Sequence, residues 1–282
     1  MNKTRTHIVL GLSSPMRLQE YGVGIFDEIG TKSALKKILK KRCIQVNDIV
    51  ATSATFIQEG DRISLEIPNE VKFKRKLIFP LKVLFEDDYL AVIHKPAGIL
   101  VSGNSFKTIT NALVQNLEES KLSDATTPQP VHRLDYATTG LLLIGKTSSS
   151  IRRLNKLFEN KEVAKVYYAV TIGEIDTKGI INSEIDGKKA CSIFSLQKTV
   201  PSNRFGKLNL VKLDPKTGRR HQLRKHLSGI GTPILGDKDY GIEDLILNGK
   251  GMYLHALSLK FTHPFTMEAM HVIDDFPYRF KK

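Results

Sequence analysis

Residues 132–147, HRLDYATTGLLLIGKT, join a polar turn to an unbroken apolar run. The run from Leu141 to Ile144 is typical of a buried strand, and Asp135 lies in the turn just before it. A carboxylate at the end of a core strand is costly unless it is paired or used in chemistry. An isolated aspartate in such a turn would more simply bond to Thr138 or Thr139. The stretch therefore predicts a core strand that starts beside either a catalytic or a capping carboxylate.

A second polar cluster, residues 217–224 (TGRRHQLR), is rich in arginine and lies far downstream. One of its arginines would supply the positive partner that Asp135 needs. The chain carries 43 Lys and Arg against 29 Asp and Glu, a net charge of +14. Excess basic residues often serve only solubility. Together with the aspartate and the arginine cluster, however, they indicate chemistry on an anionic polymer.

Composition excludes several other classes of protein. Two cysteines, Cys43 and Cys191, are too few for a disulfide framework or a cysteine-rich metal site. The apolar run from Ile8 to Leu12 is too short for a signal-peptide core. No window has the apolar length of a membrane span. We therefore expect a soluble cytoplasmic protein without a membrane partner.

The chain is predicted to have an N-terminal domain at residues 1–70, a basic linker at 71–80 and a larger domain at 81–282. In the first domain, Thr31 or Ser33 would cap a helix that buries Leu35, Ile38 and Leu39. Lys32, Lys36 and Lys40 recur four residues apart on another face of this helix. Like charges at that spacing repel one another, so an anionic partner would relieve a cost, although a solvated lysine face is the commoner arrangement.

Beyond residue 80 strands outnumber helices, which predicts an α+β fold with a mixed, mainly antiparallel sheet and flanking helices. The first domain would be a small α/β unit. Helices are expected from Ser148 or Ser149 onward and at 220–227, and a surface loop at 117–130. The expected strands lie at 84–93 (two strands joined by an acidic turn), 163–172, 192–198, 208–213 and 254–261.

Residues 132–147 resemble the catalytic motif of RluA-type pseudouridine synthases, a family that acts mainly on large-subunit ribosomal RNA. The resemblance extends over nearly the whole chain. Further matching elements are Lys95-Pro96-Ala97-Gly98, Lys165-Val166-Tyr167, residues 217–241 (TGRRHQLRKHLSGIGTPILGDKDYG) and residues 254–264. The resemblance implies the pseudouridine synthase fold, an RNA substrate, and a reaction that needs no cofactor and no metal.

The resemblance also implies roles for individual residues. Asp135 would be the catalytic carboxylate, Arg224 its positive partner, and Tyr167 the aromatic surface against an extruded uracil. Asp135 would either attack C1′ of the ribose covalently or help to form a glycal, and the sequence leaves both routes open. The residues expected at the substrate are Arg133, His132, Lys165, Arg219, His221, Gln222 and Leu254. Of these, His132 is expected to be a structural hydrogen-bonding group, and Leu254 is either a pocket wall or core.

Residues 1–70 resemble the small RNA-binding domain named after ribosomal protein S-four. The match rests on Arg17-Leu18 opening a helix, the basic helix at residues 32–42, Val46-Asn47, and residues 59–63 (EGDRI). Gln19 departs from the pattern, where the family usually has aspartate. This resemblance implies RNA contacts by Arg17, Lys32, Lys36 and Lys40.

The predicted activity is isomerisation of uridine in ribosomal RNA by a monomeric enzyme. Two alternatives stay open: a non-catalytic RNA-binding factor in ribosome assembly, and a pseudouridine synthase that acts mainly on transfer RNA. Asp135, Tyr167 and Arg224 favour an enzyme over the first alternative. Tyr136 stands where the family usually has a charged residue, so one substrate contact is altered.

Overall fold

A computed structural model of the protein describes residues 3–26, 29–67, 77–247, 249 and 251–280. The chain divides into two compact units, Met1–Lys74 and Arg75–Lys282. Residues 71–76 of the predicted basic linker lie outside the described residues. The predicted domain limits therefore stay predictions. In the described ranges, no helix is long and apolar enough to cross a membrane.

The first unit is a small sheet packed against short helices. Its sheet has the antiparallel order β1-β6-β3-β4, and β2 pairs separately with β5. The strands are β1 (Lys3–Ile8), β2 (Met16–Arg17), β3 (Ile44–Val46), β4 (Ile49–Val50), β5 (Phe56–Ile57) and β6 (Arg62–Ile67), and the helices are α1 (Leu18–Tyr21) and α2 (Lys32–Lys40).

The predicted lysine-bearing helix is confirmed as α2. Thr31 caps it, because its hydroxyl accepts a hydrogen bond from the Ala34 N–H at 3.1 Å. Leu35 and Leu39 are buried in the core of the unit, whereas Lys32, Lys36 and Lys40 are exposed. The helix therefore presents an apolar face to the sheet and a basic face to solvent.

The second unit is built on a ten-stranded sheet. Its main path runs β12-β13-β14-β11-β15-β10-β8-β7, while β16 pairs with β15 and β9 pairs with β10. The strands are β7 (Lys82–Glu86), β8 (Leu90–Lys95), β9 (Ala125–Pro130), β10 (Thr139–Thr147), β11 (Ala164–Ile172), β12 (Lys178–Ile181), β13 (Ser192–Ser202), β14 (Gly206–Pro215), β15 (Leu254–Thr262) and β16 (Ala269–Ile273), and the helices are α3 (Ile109–Leu113), α4 (Ser148–Glu159) and α5 (Gln222–Gly229).

The sheet is mixed but mostly antiparallel, as predicted from the sequence. Among the described strands, one pair is parallel: β10 lies beside β15 with Thr139 opposite His255 and Gly140 opposite Ala256. Strand β10 is buried on both faces, which explains its unbroken apolar run. Leu142 and Ile144 enter one apolar cluster, whereas Leu141 and Leu143 enter another.

Three local predictions were wrong in detail. Residues 125–130 form β9 rather than a loop; β9 pairs only with β10, and such an edge strand tolerates prolines. Helix α5 begins at Gln222 rather than at residue 220, because His221 adopts a left-handed conformation with φ 55°. Helix α4 is capped by Thr147 rather than by Ser148 or Ser149, since Thr147 and Ser150 form a reciprocal capping box.

Gly140 is the tightest backbone position in the second unit's parallel pair. Its φ is +115°, and a Cβ built there would lie 2.2 Å from the carbonyl oxygen of Ala256. Residues other than glycine rarely adopt this φ. Strands β10 and β15 also cannot move apart to make room for a side chain without losing their backbone pairing. Strands β10 and β15 therefore approach each other through a glycine.

We expect Gly140→Ala to destabilise the protein by more than about 3 kcal/mol, because backbone strain and a steric clash add. Urea unfolding followed by far-UV circular dichroism would measure the loss. Gly187→Ala is the matched control, since Gly187 also has a positive φ (+70°) but open space around it. Equal losses in the two variants would contradict the close approach.

Candidate active site

A cavity of about 700 Å³ opens in the second unit. It is lined by the turn before β10, by the end of α4 and the start of β11, by the segment from β14 into α5, and by the start of β15. This cavity brings together every residue predicted for catalysis or substrate binding: Asp135, Arg224, Tyr167, Arg133, His132, Lys165, Arg219, His221, Gln222 and Leu254. The predicted RNA-binding residues Arg17, Lys32, Lys36 and Lys40 lie in the first unit and are exposed.

Lys95 supports the turn that carries Asp135. Thr138 donates its N–H to the backbone carbonyl of Asp135 at 3.1 Å, so the turn closes through the main chain. The Lys95 ammonium group is fully buried and donates to the carbonyls of Pro96, Tyr136 and Thr138 at 2.9, 3.3 and 2.9 Å. Burial lowers the pKa of Lys95 to about 8, against the opposing effect of the Asp135 charge.

Two basic side chains lie within 4 Å of the Asp135 carboxylate. Nε2 of His221 is 3.8 Å from Oδ1, and Nη1 of Arg224 is 3.8 Å from Oδ2. Both separations exceed hydrogen-bonding distance, so these contacts are ion pairs at most. Asp135 is 16% exposed and faces the cavity.

The short contacts of Arg224 are made to other carboxylates. Its Nε and Nη2 donate to the two oxygens of Asp237, each at 2.6 Å, and Nη2 also reaches Asp239 at 2.6 Å. Burial lowers the pKa of Arg224, but the hydrogen bonds to Asp237 and Asp239 outweigh it, so the pKa is raised overall. The expected pairing of Arg224 with Asp135 is therefore present as a longer contact, beside a tight bidentate pair with Asp237.

Four residues at the site were not predicted from the sequence: Lys95, Asp237, Asp239 and Tyr240. Asp237 accepts the N–H groups of Asp239 and Tyr240, which folds residues 237–240 into a compact turn. The Tyr240 ring lies 4.9 Å from the Arg224 guanidinium, and its hydroxyl is 3.0 Å from Nδ1 of His221. The acidic stretch at residues 236–241 (GDKDYG) is the sequence feature that could have identified three of them, since a buried arginine requires a carboxylate partner.

Tyr167 lies where the pairing of β11 with β15 shifts register. The shift falls between Val166 and Tyr167 and places Tyr167 opposite Ala256. Such irregularities redirect side chains and are common beside active sites. Burial raises the pKa of Tyr167, and the Asp135 charge raises it further, so the hydroxyl keeps its proton. Leu254 is buried and forms part of the cavity wall, which joins its two predicted roles.

His132 makes structural contacts at the edge of the cavity. Its Nε2 accepts the N–H of Leu143 at 3.0 Å, and its ring stacks on Phe158 at a centroid distance of 4.7 Å. Burial, together with a smaller effect of the Lys165 charge, lowers the pKa of His132 to about 3. Burial also lowers the pKa of Lys165, against the opposing effect of Asp214.

Gln222 supports the loop at one side of the cavity. Its Oε1 accepts from the Thr217 hydroxyl and the Arg219 N–H, and its Nε2 donates to the Cys191 carbonyl and the Ser192 hydroxyl. These four bonds use the full hydrogen-bonding capacity of the amide. Gln222 therefore orders residues 217–219 with its side chain already satisfied.

The chemistry available in this cavity is that of one carboxylate surrounded by basic groups. The basic residues at its rim outnumber the acidic ones and include Arg133, Lys161, Lys216, Arg219 and Arg220. Such a rim favours an anionic ligand. Within the described ranges, no group of three or more His, Cys, Asp or Glu side chains is arranged to hold a metal ion.

Comparisons with known proteins identify relatives of this chain. The family described as RNA pseudouridylate synthase matches residues 89–229, a stretch that contains Asp135, Tyr167 and Arg224. The chain is 31% identical over 261 residues to ribosomal large subunit pseudouridine synthase D of Nitrosomonas europaea, covering 83% of this chain and 74% of that protein. It is 32% identical over 282 residues to ribosomal large subunit pseudouridine synthase C of Rickettsia felis, covering 88% and 90%.

Among solved structures, the chain is similar to human RNA Pseudouridylate Synthase Domain Containing 4. The TM-score is 0.56 at 24% identity, and the match covers 71% of this chain and 90% of the human one. At that identity the likeness concerns the fold. It agrees with the mixed, mostly antiparallel sheet described above.

We expect Asp237→Asn to destabilise the protein by about 3–5 kcal/mol, because it leaves the buried Arg224 charge without its bidentate partner. Asp239→Asn is the matched control and should cost no more than about 1 kcal/mol, since the Asp239 side chain is 61% exposed. Urea unfolding followed by circular dichroism suits both variants, because the chain has no tryptophan. Similar losses in both would show that Asp237 is not the main anchor of Arg224.

Proposed function

Because this chain belongs to the RNA pseudouridylate synthase family, we propose that it converts uridine to pseudouridine in ribosomal RNA of the large subunit. The enzyme is an isomerase: it detaches uracil from C1′ of the ribose and rejoins it through C5. The ribosomal substrate is proposed from the relatives, which are named for the large ribosomal subunit. A cytoplasmic, monomeric enzyme stays a prediction.

One observation carries the proposal. Asp135, Tyr167 and Arg224 come from three separate elements, yet they line one cavity of about 700 Å³. Pockets of this size hold small ligands, and enzymes that act on a base extrude it from the helical stack into such a pocket. The basic rim would contact phosphates of the RNA around the extruded nucleotide.

Asp135 is the proposed catalytic carboxylate. It must be ionised to act as a nucleophile or base, and the guanidinium of Arg224 lies 3.8 Å from it. Because the contact is long, the carboxylate oxygens stay available to the substrate. Asp135 then either attacks C1′ to form a covalent ester as uracil leaves, or removes the C2′ proton as uracil leaves, so that the ribose becomes a glycal with a C1′–C2′ double bond. In each route the uracil returns to C1′ through C5, and in the glycal route the proton returns to C2′.

The remaining cavity residues bind and orient the nucleotide. Tyr167 and Leu254 hold the uracil between an aromatic and an aliphatic wall. Arg133 and Arg219 contact phosphate. Lys165 lies beside the base, with its Nζ 6.0 Å from the centroid of the Phe158 ring. We assign His132 and Gln222 to positioning, because their hydrogen bonds are made within the protein.

The first unit is proposed to bind RNA in the manner of an S-four-like domain. Two features support this role: α2 exposes Lys32, Lys36 and Lys40 on one face, and Arg17 is exposed beside the start of α1. Close like charges repel one another, and a phosphate backbone would relieve that repulsion.

We expect Asp135→Asn to abolish turnover while RNA affinity and stability stay unchanged. The substrates are ribosomal and transfer RNA that lack the modification and carry tritium at C5 of uridine, because C5 loses its hydrogen in the reaction. Release of tritium by the unaltered enzyme from ribosomal RNA alone would support the proposal. Release from transfer RNA alone would move the substrate to that class, and turnover by Asp135→Asn would dismiss the proposed catalytic centre.

Replacing Lys32, Lys36 and Lys40 with glutamine should weaken RNA binding and flatten its dependence on salt. Each lost phosphate contact lowers the slope of log K against log salt by about 0.7–0.9. Binding titrations at several salt concentrations would measure this slope. The control replaces Lys178, Lys198 and Lys260, which are exposed in the second unit outside the cavity lining, so the same net charge is removed. Equal slopes for both triple variants would show that the lysines of α2 face solvent and make no specific contacts with RNA phosphates.

A further inference from the structure

The proposed isomerisation needs a base that is not yet assigned. Once uracil has rejoined C1′ through C5, that carbon carries both the new bond and its original hydrogen. The ring recovers its C5–C6 double bond only when the C5 proton leaves. A base must therefore lie in the cavity, close to the point where Asp135 meets C1′.

Several titratable groups in or beneath the cavity are unsuited to this step. Tyr167 and Arg224 keep their protons, because the pKa of each is raised. Lys95 donates to three backbone carbonyls from a fully buried position. His132 already uses Nε2 to accept the N–H of Leu143.

Two further carboxylates line the cavity, and each is paired with a neighbouring lysine. Glu159 accepts from Lys156 and its side chain is 70% exposed, while Asp214 is paired with Lys216. An ammonium partner makes a carboxylate a weaker base, so neither residue is suited to removing a proton from carbon.

His221 has the geometry that the step requires. Its Nε2 is 3.8 Å from Oδ1 of Asp135, too far for a hydrogen bond, so this nitrogen is free to meet the substrate. Its Nδ1 is 3.0 Å from the hydroxyl of Tyr240. A proton on Nδ1 that is donated to Tyr240 leaves the lone pair of Nε2 facing Asp135.

The backbone of His221 is also unusual. It stands at the start of α5 with φ 55° and ψ 25°, a left-handed conformation that costs free energy for a residue other than glycine. Such conformations concentrate at functional sites. Here it turns the imidazole into the cavity while Arg224, one helical turn later, lies on the same side.

We propose that His221 is the general base that removes the proton from C5 of the rejoined uracil. The C5–H bond breaks and its electron pair forms the C5–C6 double bond, while the π pair of the N1–C6 double bond moves onto N1. The C5 proton moves to Nε2. The imidazolium then releases this proton to water at the open side of the cavity. N1, freed from C1′, takes up one proton, so the isomerisation neither gains nor loses protons overall.

The charge state of His221 fits this role. Burial lowers the pKa of His221, so the neutral imidazole predominates at pH 7. The charged and titratable groups around it come from several elements and act in both directions. They are Asp135, Asp186, Arg220, Arg224, Asp239 and Tyr240.

His221→Asn tests the proposal, because asparagine tolerates the left-handed backbone and lacks a titratable nitrogen. The measurement is single-turnover pseudouridine formation on RNA that carries either hydrogen or deuterium at C5. We expect the variant to bind RNA normally and to be slower by about 10²–10⁴-fold, the usual contribution of a general base. Its rate should also acquire a primary isotope effect, because C5 deprotonation becomes limiting.

His271→Asn is the matched control: His271 is exposed on β16 outside the cavity lining and should change neither rate nor isotope effect. His221→Gln replaces the asparagine variant if the latter does not bind RNA. A His221 variant as fast as the unaltered enzyme, or slow without an isotope effect, would overturn the base assignment alone. No turnover by the unaltered enzyme on any RNA would instead contradict the proposed function.

Discussion

The contact between the backbones of β10 and β15 at Gly140 and Ala256 organises the catalytic unit. Ala256 is also paired with Tyr167 on β11, so three strands meet at one level of the sheet. Asp135 lies in the turn just before this level on β10, and Leu254 lies two residues before it on β15. The carboxylate, the aromatic ring and the aliphatic wall of the site therefore follow from one close approach that a side chain at Gly140 would prevent.

The electrostatics of the cavity depend on which carboxylates accept the hydrogen bonds of Arg224. A bidentate pair with Asp135 would occupy the oxygens that the proposed reaction needs. Asp237 takes that pair instead, and Arg224 approaches Asp135 only to 3.8 Å. The arginine thus contributes positive charge without covering the carboxylate. Tyr240 contacts both Arg224 and His221, so one short turn orients both basic neighbours of Asp135.

The sequence predicted most elements because their patterns are local. The apolar run in β10 and the spacing of Leu35 and Leu39 in α2 each follow from the side-chain geometry of a strand or helix. The errors arose where long-range pairing prevailed. Residues 125–130 look like a loop because of Pro128 and Pro130, but an edge position beside β10 makes them a strand. Helix α5 begins only after His221, whose backbone is left-handed and whose ring contacts Tyr240, 19 residues further along the chain.

The sequence by itself determined the family, the class of reaction and the residues that gather in the cavity, because a motif keeps the residue types that the chemistry needs. It did not determine which charges pair. Three contacts join residues that are separated along the chain and meet only in the folded unit: Lys95 with the Asp135 turn, Asp237 with Arg224, and Tyr240 with His221. Tertiary structure decided these pairings, because the choice among several carboxylates for one buried arginine depends on distance and burial.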